Sequence, residues 1–223
     1  MAARKAPAKA AKRVTQAAKR VPRPPARTAW NFEPLTRDRW ADFTALFGGK
    51  GACAGCWCMW MRLPAKEYRE KGPVGRRSAM RRLAGSGAAP GLLAYEGDRA
   101  VGWIAVGPRE SFRRLESSRV LAPVDTCAVW SLPCFYIAPS HRRRGLTQAL
   151  LEAACLWASA HGATCVEGYP VDTQGKQQAA AFMWHGAAGA FEGAGFREVL
   201  RRSPTRPIVR RAVRPPRTRR PLG

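Results

Sequence analysis

Between residues 30 and 213 the apolar positions switch repeatedly between the period of two that suits a strand and the period near 3.6 that suits a helix, which predicts strands alternating with helices. A short strand near residues 30–32 leads into a helix over 35–47, with Thr36 placed to cap it ahead of Arg37 and Asp38. Residues 65–84 are helical in tendency, interrupted at Gly72-Pro73. Residues 92–95 and 100–106 flank Glu96-Gly97-Asp98, a hairpin signal. Residues 128–138 are almost continuously apolar through Val129, Trp130, Leu132, Phe135, Tyr136 and Ile137, as expected of a strand covered on both faces. Over residues 144–160 a helix is written by Leu146, Leu150, Ala153 and Trp157, with Gln148, Glu152 and Ser159 on its polar side. A strand over 164–169 follows, and Pro207-Ile208-Val209 offers a last short one.

Charge divides the chain differently. Of 223 residues 39 are Lys or Arg and 15 Asp or Glu, a formal net charge of +24. Residues 1–29 hold nine basic side chains and no acid, residues 203–223 hold seven arginines and no acid, and every Trp, Tyr, Phe and Cys lies between them. The expected organisation is a disordered Ala/Lys/Arg/Pro tail over 1–29, one folded domain over 30–213 and a disordered Arg/Pro tail over 214–223. For the first tail two readings stand equally, a non-specific nucleic-acid arm and a solubilising extension, with an organelle transit peptide as a weaker third. Scarce Asn and Ile beside abundant Ala, Arg, Gly and Pro look like a GC-rich bacterial genome and argue against the third. No stretch approaches the ~18 apolar residues of a membrane span, and no apolar block follows the N-terminal charges as in a secretory signal. Seven cysteines, an odd number, then point to reduced thiols in a soluble cytoplasmic protein without membrane partners.

The sharpest local feature follows the buried strand: Pro139-Ser140-His141-Arg142-Arg143-Arg144-Gly145-Leu146-Thr147-Gln148, running into the helix. The first amides of a helix lack internal partners, the macrodipole is positive there, and Gly145 lets the backbone approach a ligand closely. Such a place suits a phosphate or pyrophosphate. The Gly-x-x-x-x-Gly-Lys-Ser/Thr loop of nucleotide triphosphatases and the glycine-rich dinucleotide fingerprint are both absent.

The element that remains, Arg142-Arg143-Arg144-Gly145-Leu146-Thr147, resembles the Arg/Gln-x-x-Gly-x-Gly/Ala motif of the GNAT family of N-acetyltransferases, with Thr147 where the family usually has Gly or Ala. Ala190-Phe191-Glu192-Gly193-Ala194-Gly195-Phe196 is similar to the family's closing Tyr-Glu-x-x-Gly-Phe, and the strands fall in matching order. Cys56-Trp57-Cys58-Met59, the run from Val129 to Phe135 and the run from Glu167 to Asp172 look like a poorly characterised bacterial branch. The resemblance implies a mixed α/β fold, with a mostly antiparallel central sheet and helices on both faces, and an acyltransferase that moves the acetyl group of acetyl-CoA to an amine by direct attack. It also implies a cofactor strand bulged at Pro133, with Phe135, Tyr136 and Ile137 supplying pantetheine contacts and Arg142, Arg143, Arg144, Gly145, Leu146, Thr147 and Gln148 cradling the pyrophosphate.

Amine attack on a thioester needs a base, oriented donors and a proton for the departing thiolate. The family's usual acid is a tyrosine at the position that Phe191 holds here, which leaves Glu167, Tyr169 and Asp125 as catalytic candidates and sets His185 on a surface turn. Cys53-x-x-Cys56-x-Cys58 lacks a second pair at zinc spacing, so no metal is expected. The acceptor, a small molecule or a protein amine, is not written in the sequence. The vacancy at Phe191 together with the basic tails sustains a second reading, a nucleic-acid-associated protein whose GNAT-like domain is inert or only binds acyl-CoA.

Overall fold

A computed structural model describes residues 30–179 and 182–214. The tail expected over 1–29, and all but the first residue of that over 214–223, lie outside the described residues. The chain runs β1 (Asn31–Pro34), α1 (Trp40–Phe47), α2 (Ala65–Ala84), β2 (Gly91–Glu96), β3 (Arg99–Pro108), β4 (Trp130–Ile137), α3 (Leu146–Ala160), β5 (Cys165–Gly168), α4 (Ala188–Gly193), β6 (Arg197–Arg201) and β7 (Pro207–Ala212). Seven strands form one sheet in the order β1-β2-β3-β4-β5-β7-β6, antiparallel except for the β4–β5 pair. None of the described helices is long and apolar enough to cross a membrane.

Alternation along the strands builds two cores, because successive side chains of a strand point to opposite faces. Leu93, Tyr95 and Trp103 face one way and pack with Phe43 and Phe47 of α1 and Met80 of α2. Leu92, Ala94 and Ile104 face the other way, against Leu146, Leu150 and Ala154 of α3 and Phe191 of α4. The mixed α/β fold with helices on both faces is therefore as the sequence suggests. Two local expectations are corrected. The first helix starts at Trp40 rather than 35, and Thr36 caps nothing; its hydroxyl is buried without a partner. The buried stripe of α3 is Leu146, Leu150, Ala154 and Ala158, with Ala153 and Trp157 only partly covered, because α3 is rotated slightly from the orientation inferred from spacing. Residues 65–84 are helical on both sides of a break at Gly72 (φ +56°, ψ −178°), ahead of Pro73, as the sequence suggests.

Two features of the sheet prepare the site. Between Ala105 and Gly107 of β3 the partner on β4 advances from Cys134 to Ser131, so β4 carries one extra residue around Pro133. The bulge removes the demand for a ladder donor that proline cannot supply. It also flips the facing of the strand: Leu132 and Phe135, three residues apart, share one core. Past the bulge β4 leaves its parallel neighbour, since the β4–β5 pairing covers only Trp130 to Leu132 opposite Val166 to Gly168.

Candidate active site

The loop after β4 combines a left-handed cap with a helix N-terminus that carries no acid, chemistry that suits an anion. Gly145 caps α3 at φ +82°, ψ 0°, no side chain caps the helix, and its first turn holds no acid. Arg143 also takes a left-handed conformation, φ +58°. Alternating left-handed residues at a helix N-terminus turn successive amides toward one point, where fixed partial positive charges gather. The basic side chains are less uniformly available than the sequence suggests. Arg142 Nε donates to the Ile137 carbonyl and Arg144 pairs with Glu96 at 3.0 Å. The buried His141 also reaches Glu96, at 2.9 Å, so the loop is tied to the β2–β3 hairpin. Gln148 donates to the Gly193 carbonyl of α4 and Leu146 is core, so neither side chain faces the cradle. What residues 142–148 leave unengaged is chiefly the backbone amides and the exposed Arg143 side chain.

The open edge of β4 continues this cradle. Ala138 N–H donates to Val101 of β3, so by alternation the backbone of Phe135 and Ile137 points away from β3, into the gap beyond the bulge, while Tyr136 pairs toward Trp103. The gap is not vacant. Phe135 N–H donates to the Trp184 carbonyl at 2.6 Å, and His185 Nδ1 lies 2.7 Å from the Pro133 carbonyl. Phe135 C=O and Ile137 N–H are left facing the gap. Of the three residues assigned to pantetheine, Tyr136 presents no backbone group to it, and the Phe135 amide is already engaged.

His185 is corrected from a surface turn to a buried position, 3% exposed. A carbonyl only accepts, so Nδ1 carries the proton toward Pro133 and Nε2 keeps its lone pair. Burial first, then the Arg206 guanidinium, push the imidazole well below its ordinary range, so it is neutral at physiological pH. No local sequence signal marks it, because its partner stands 52 residues away.

Glu167, Tyr169 and Asp125 are brought together, in one ion-paired network. Glu167 Oε1 accepts from Arg109 and from Tyr169, and its Oε2 accepts from Arg210, each at 2.7–2.8 Å. Arg210 then grips Asp125 with two bonds, and Ser131 meets the Tyr169 hydroxyl at 2.7 Å. Glu167 and Tyr169 have no solvent exposure. Burial, then the charge of Glu167, hold the Tyr169 phenol protonated well above its ordinary value. In this network the phenol donates to Glu167 and both carboxylates pair with arginines. Arg109, which the sequence reading did not single out, is its hub: besides these partners it donates to the Leu121 carbonyl.

Arg210, with the Cys127 amide, holds the Asp125 carboxyl down at about 2. A depressed folded value means stability that is full above the ordinary carboxylate range near ~4 and lost as pH falls toward 2. Asp125→Asn is therefore expected to flatten the fall of melting temperature between about pH 4 and 2. Identical slopes in the two proteins would exclude that linkage.

Phe191 is wholly buried, its ring edge-on to Phe135 at 5.8 Å between centroids. A Cβ on Gly168 would lie 2.1 Å from that ring, so the glycine is what admits it. Among the described residues no three His, Cys, Asp or Glu side chains converge as a metal set.

The family model described as "Acetyltransferase (GNAT) family" matches residues 57–186, more than half of the chain. No curated protein matches in sequence. Similar solved structures include the PaiA N-acetyltransferase of Thermoplasma acidophilum in complex with coenzyme A (12% identity, 82% of this chain and 99% of that one, TM-score 0.46). Others are an acetyltransferase of Thermus thermophilus (18%, 82% and 97%, 0.45) and a GNAT-family acetyltransferase of Streptococcus pneumoniae (13%, 83% and 99%, 0.45).

Proposed function

Because this chain belongs to the acetyltransferase (GNAT) family, we propose that it transfers the acetyl group of acetyl-CoA to an amine by direct attack, as a single domain over residues 30–213. The observation that carries the reading is the continuity of an acid-free helix N-terminus, capped by a left-handed Gly145, with the splayed edge of β4. The amides around residues 143–148 suit the pyrophosphate, and Ile137 N–H with Phe135 C=O suits the amide-bearing arm. Trp184 on the Phe135 amide must yield if a thioester carbonyl is to use that donor.

In this proposal His185 is the base. The amine enters neutral, its ammonium proton already lost to solvent; its lone pair attacks the thioester carbonyl, the neutral Nε2 takes one N–H proton from the tetrahedral adduct, and that proton passes to the thiolate as the carbon–sulfur bond breaks, leaving the amide and the free thiol. Glu167, Tyr169 and Asp125 act as positioning residues that hold β5 against β4 at the mouth of the gap. His185→Gln can still donate to Pro133 but has no basic nitrogen. It is expected to lower kcat at least about tenfold with little change in KM for acetyl-CoA. Unchanged kcat would remove His185 from the mechanism.

The reading is tested by free-thiol release from acetyl-CoA across small amines, amino acids and lysine-bearing proteins, alongside calorimetric binding of acetyl-CoA. Binding with turnover of one amine class is the expected result, and no binding overturns it. The buried Phe191, which has no hydroxyl to give, favours the second reading of a domain that binds acyl-CoA without turnover. Binding with no thiol release from any amine would select it. Loss of salt-sensitive DNA binding on deleting residues 1–29 would then assign the association to the tail.

A further inference from the structure

Helices α1 and α2 enclose a basic cleft between them. Ser78, Arg81, Arg82 and Gly85 share one face of α2, and with Arg37 and Trp40 at the start of α1 they line a volume of about 670 Å³. No acid is among the lining residues. Arg37 reaches across to α2, since a Cβ on Gly85 at the helix end would lie 3.7 Å from its Nε. Trp40 is fixed in place: its ring stacks on Phe43 at 5.5 Å, and the Arg77 guanidinium sits 5.9 Å from its centre.

The positive charge gathered here is not answered within the protein. Glu33 pairs with Arg39, Asp42 accepts from Tyr95, Glu67 takes Lys71 and Arg113, and Glu70 meets Lys66. Among the described residues neither these acids nor the exposed Asp38 forms an ion pair with Arg37, Arg81 or Arg82. The macrodipole accounts for part of the cluster, because Arg81 and Arg82 lie in the last turn of α2, where cations are favoured. It does not account for Arg37, which precedes the N-terminus of α1, the end that favours anions and has no side-chain cap. Like charges in one cleft repel, and an anion among them relieves the repulsion. Guanidinium forks match the paired oxygens of a phosphate, and the volume falls in the range of roughly 300–1,000 Å³ that small-molecule sites occupy.

We propose that this cleft binds a small molecule carrying two or more phosphates. Arg37, Arg81 and Arg82 take the phosphate oxygens, the Ser78 hydroxyl adds a neutral donor, and Trp40 gives the rest of the molecule an apolar wall. The site is separate from the loop before α3. Helices α1 and α2 pack on one face of the sheet and α3 on the other, so no residue of 142–148 contributes to it. It needs no acetyl transfer, and it stands or falls independently of the proposed activity.

Inorganic tripolyphosphate is the probe, titrated calorimetrically at physiological salt into the full-length protein and into Gly145→Glu, whose altered loop no longer suits phosphate. Saturable binding is expected in both. Arg81→Ala combined with Arg82→Ala should weaken it at least about tenfold in either background. Lys66→Ala combined with Arg69→Ala removes two exposed charges from the other end of the same helix and should change it less than about twofold. The basic tails are common to all four proteins, and melting temperature confirms that each folds. Equal weakening by the two pairs would reduce the effect to net charge and overturn the site. Loss of binding in Gly145→Glu alone would move the anion to the loop before α3 and overturn it as well.

Discussion

Glu167→Ala is expected to unfold the protein at far lower denaturant than wild type, with a loss of about 3–5 kcal/mol, the range for removing one partner of a buried ion pair. Glu167 accepts from two guanidinium groups and a phenol, and its side chain is almost fully enclosed. Its removal leaves Arg109, itself 8% exposed, with a buried charge whose remaining partners are carbonyls, the neutral Tyr169 hydroxyl and the more exposed Glu116. Against a domain stability of roughly 5–15 kcal/mol that is a large share. Glu167→Gln keeps the shape and two acceptor lone pairs but not the charge, and should fall between. Urea titration followed by tryptophan fluorescence reads both. A loss under about 1 kcal/mol for the alanine variant would mean that water reaches the arginines, and the network would cease to explain how β5 is held.

Gly145→Glu is expected to weaken acetyl-CoA binding by more than about 100-fold, roughly 2.7 kcal/mol. Two effects add. A side chain at φ +82° is strained, and a carboxylate arrives where the first amides of α3 are to meet phosphate. Nothing lies within 4 Å of the new Cβ, so the fold should survive with a small drop in melting temperature. Calorimetry on folded variant protein separates the two losses. Binding within a few-fold of wild type would move the pyrophosphate away from this loop.

How far the sequence reaches depends on the range of the interactions involved. The β2–β3 hairpin and α3 were legible because each is specified within a few residues, by Gly97 in the turn, Gly145 at the cap and apolar spacing along the helix. Pro133 marked the bulge for the same reason. Thr36 misled because a capping residue type is common and the cap requires a geometry that the chain adopts elsewhere. Arg109, His185 and Arg62 could not be recognised at all. Their partners, Glu167, Pro133 and Pro90, stand 58, 52 and 28 residues away. In composition each is one more basic or ionisable residue in a basic chain.

The short β4–β5 pairing has a consequence for how the molecule opens. Strands β1 to β4 join neighbours in chain order, whereas β5, β7 and β6 form a second set that meets the first along only three residue pairs. Arg109 reaches across that seam from the first set to Glu167 in the second. Amide protons of residues 166–168 should therefore exchange with solvent as one unit, when the seam parts and Arg109 is rehydrated, and more slowly than the sparse ladder alone would allow. The sheet behaves as two panels on a hinge whose latch is electrostatic.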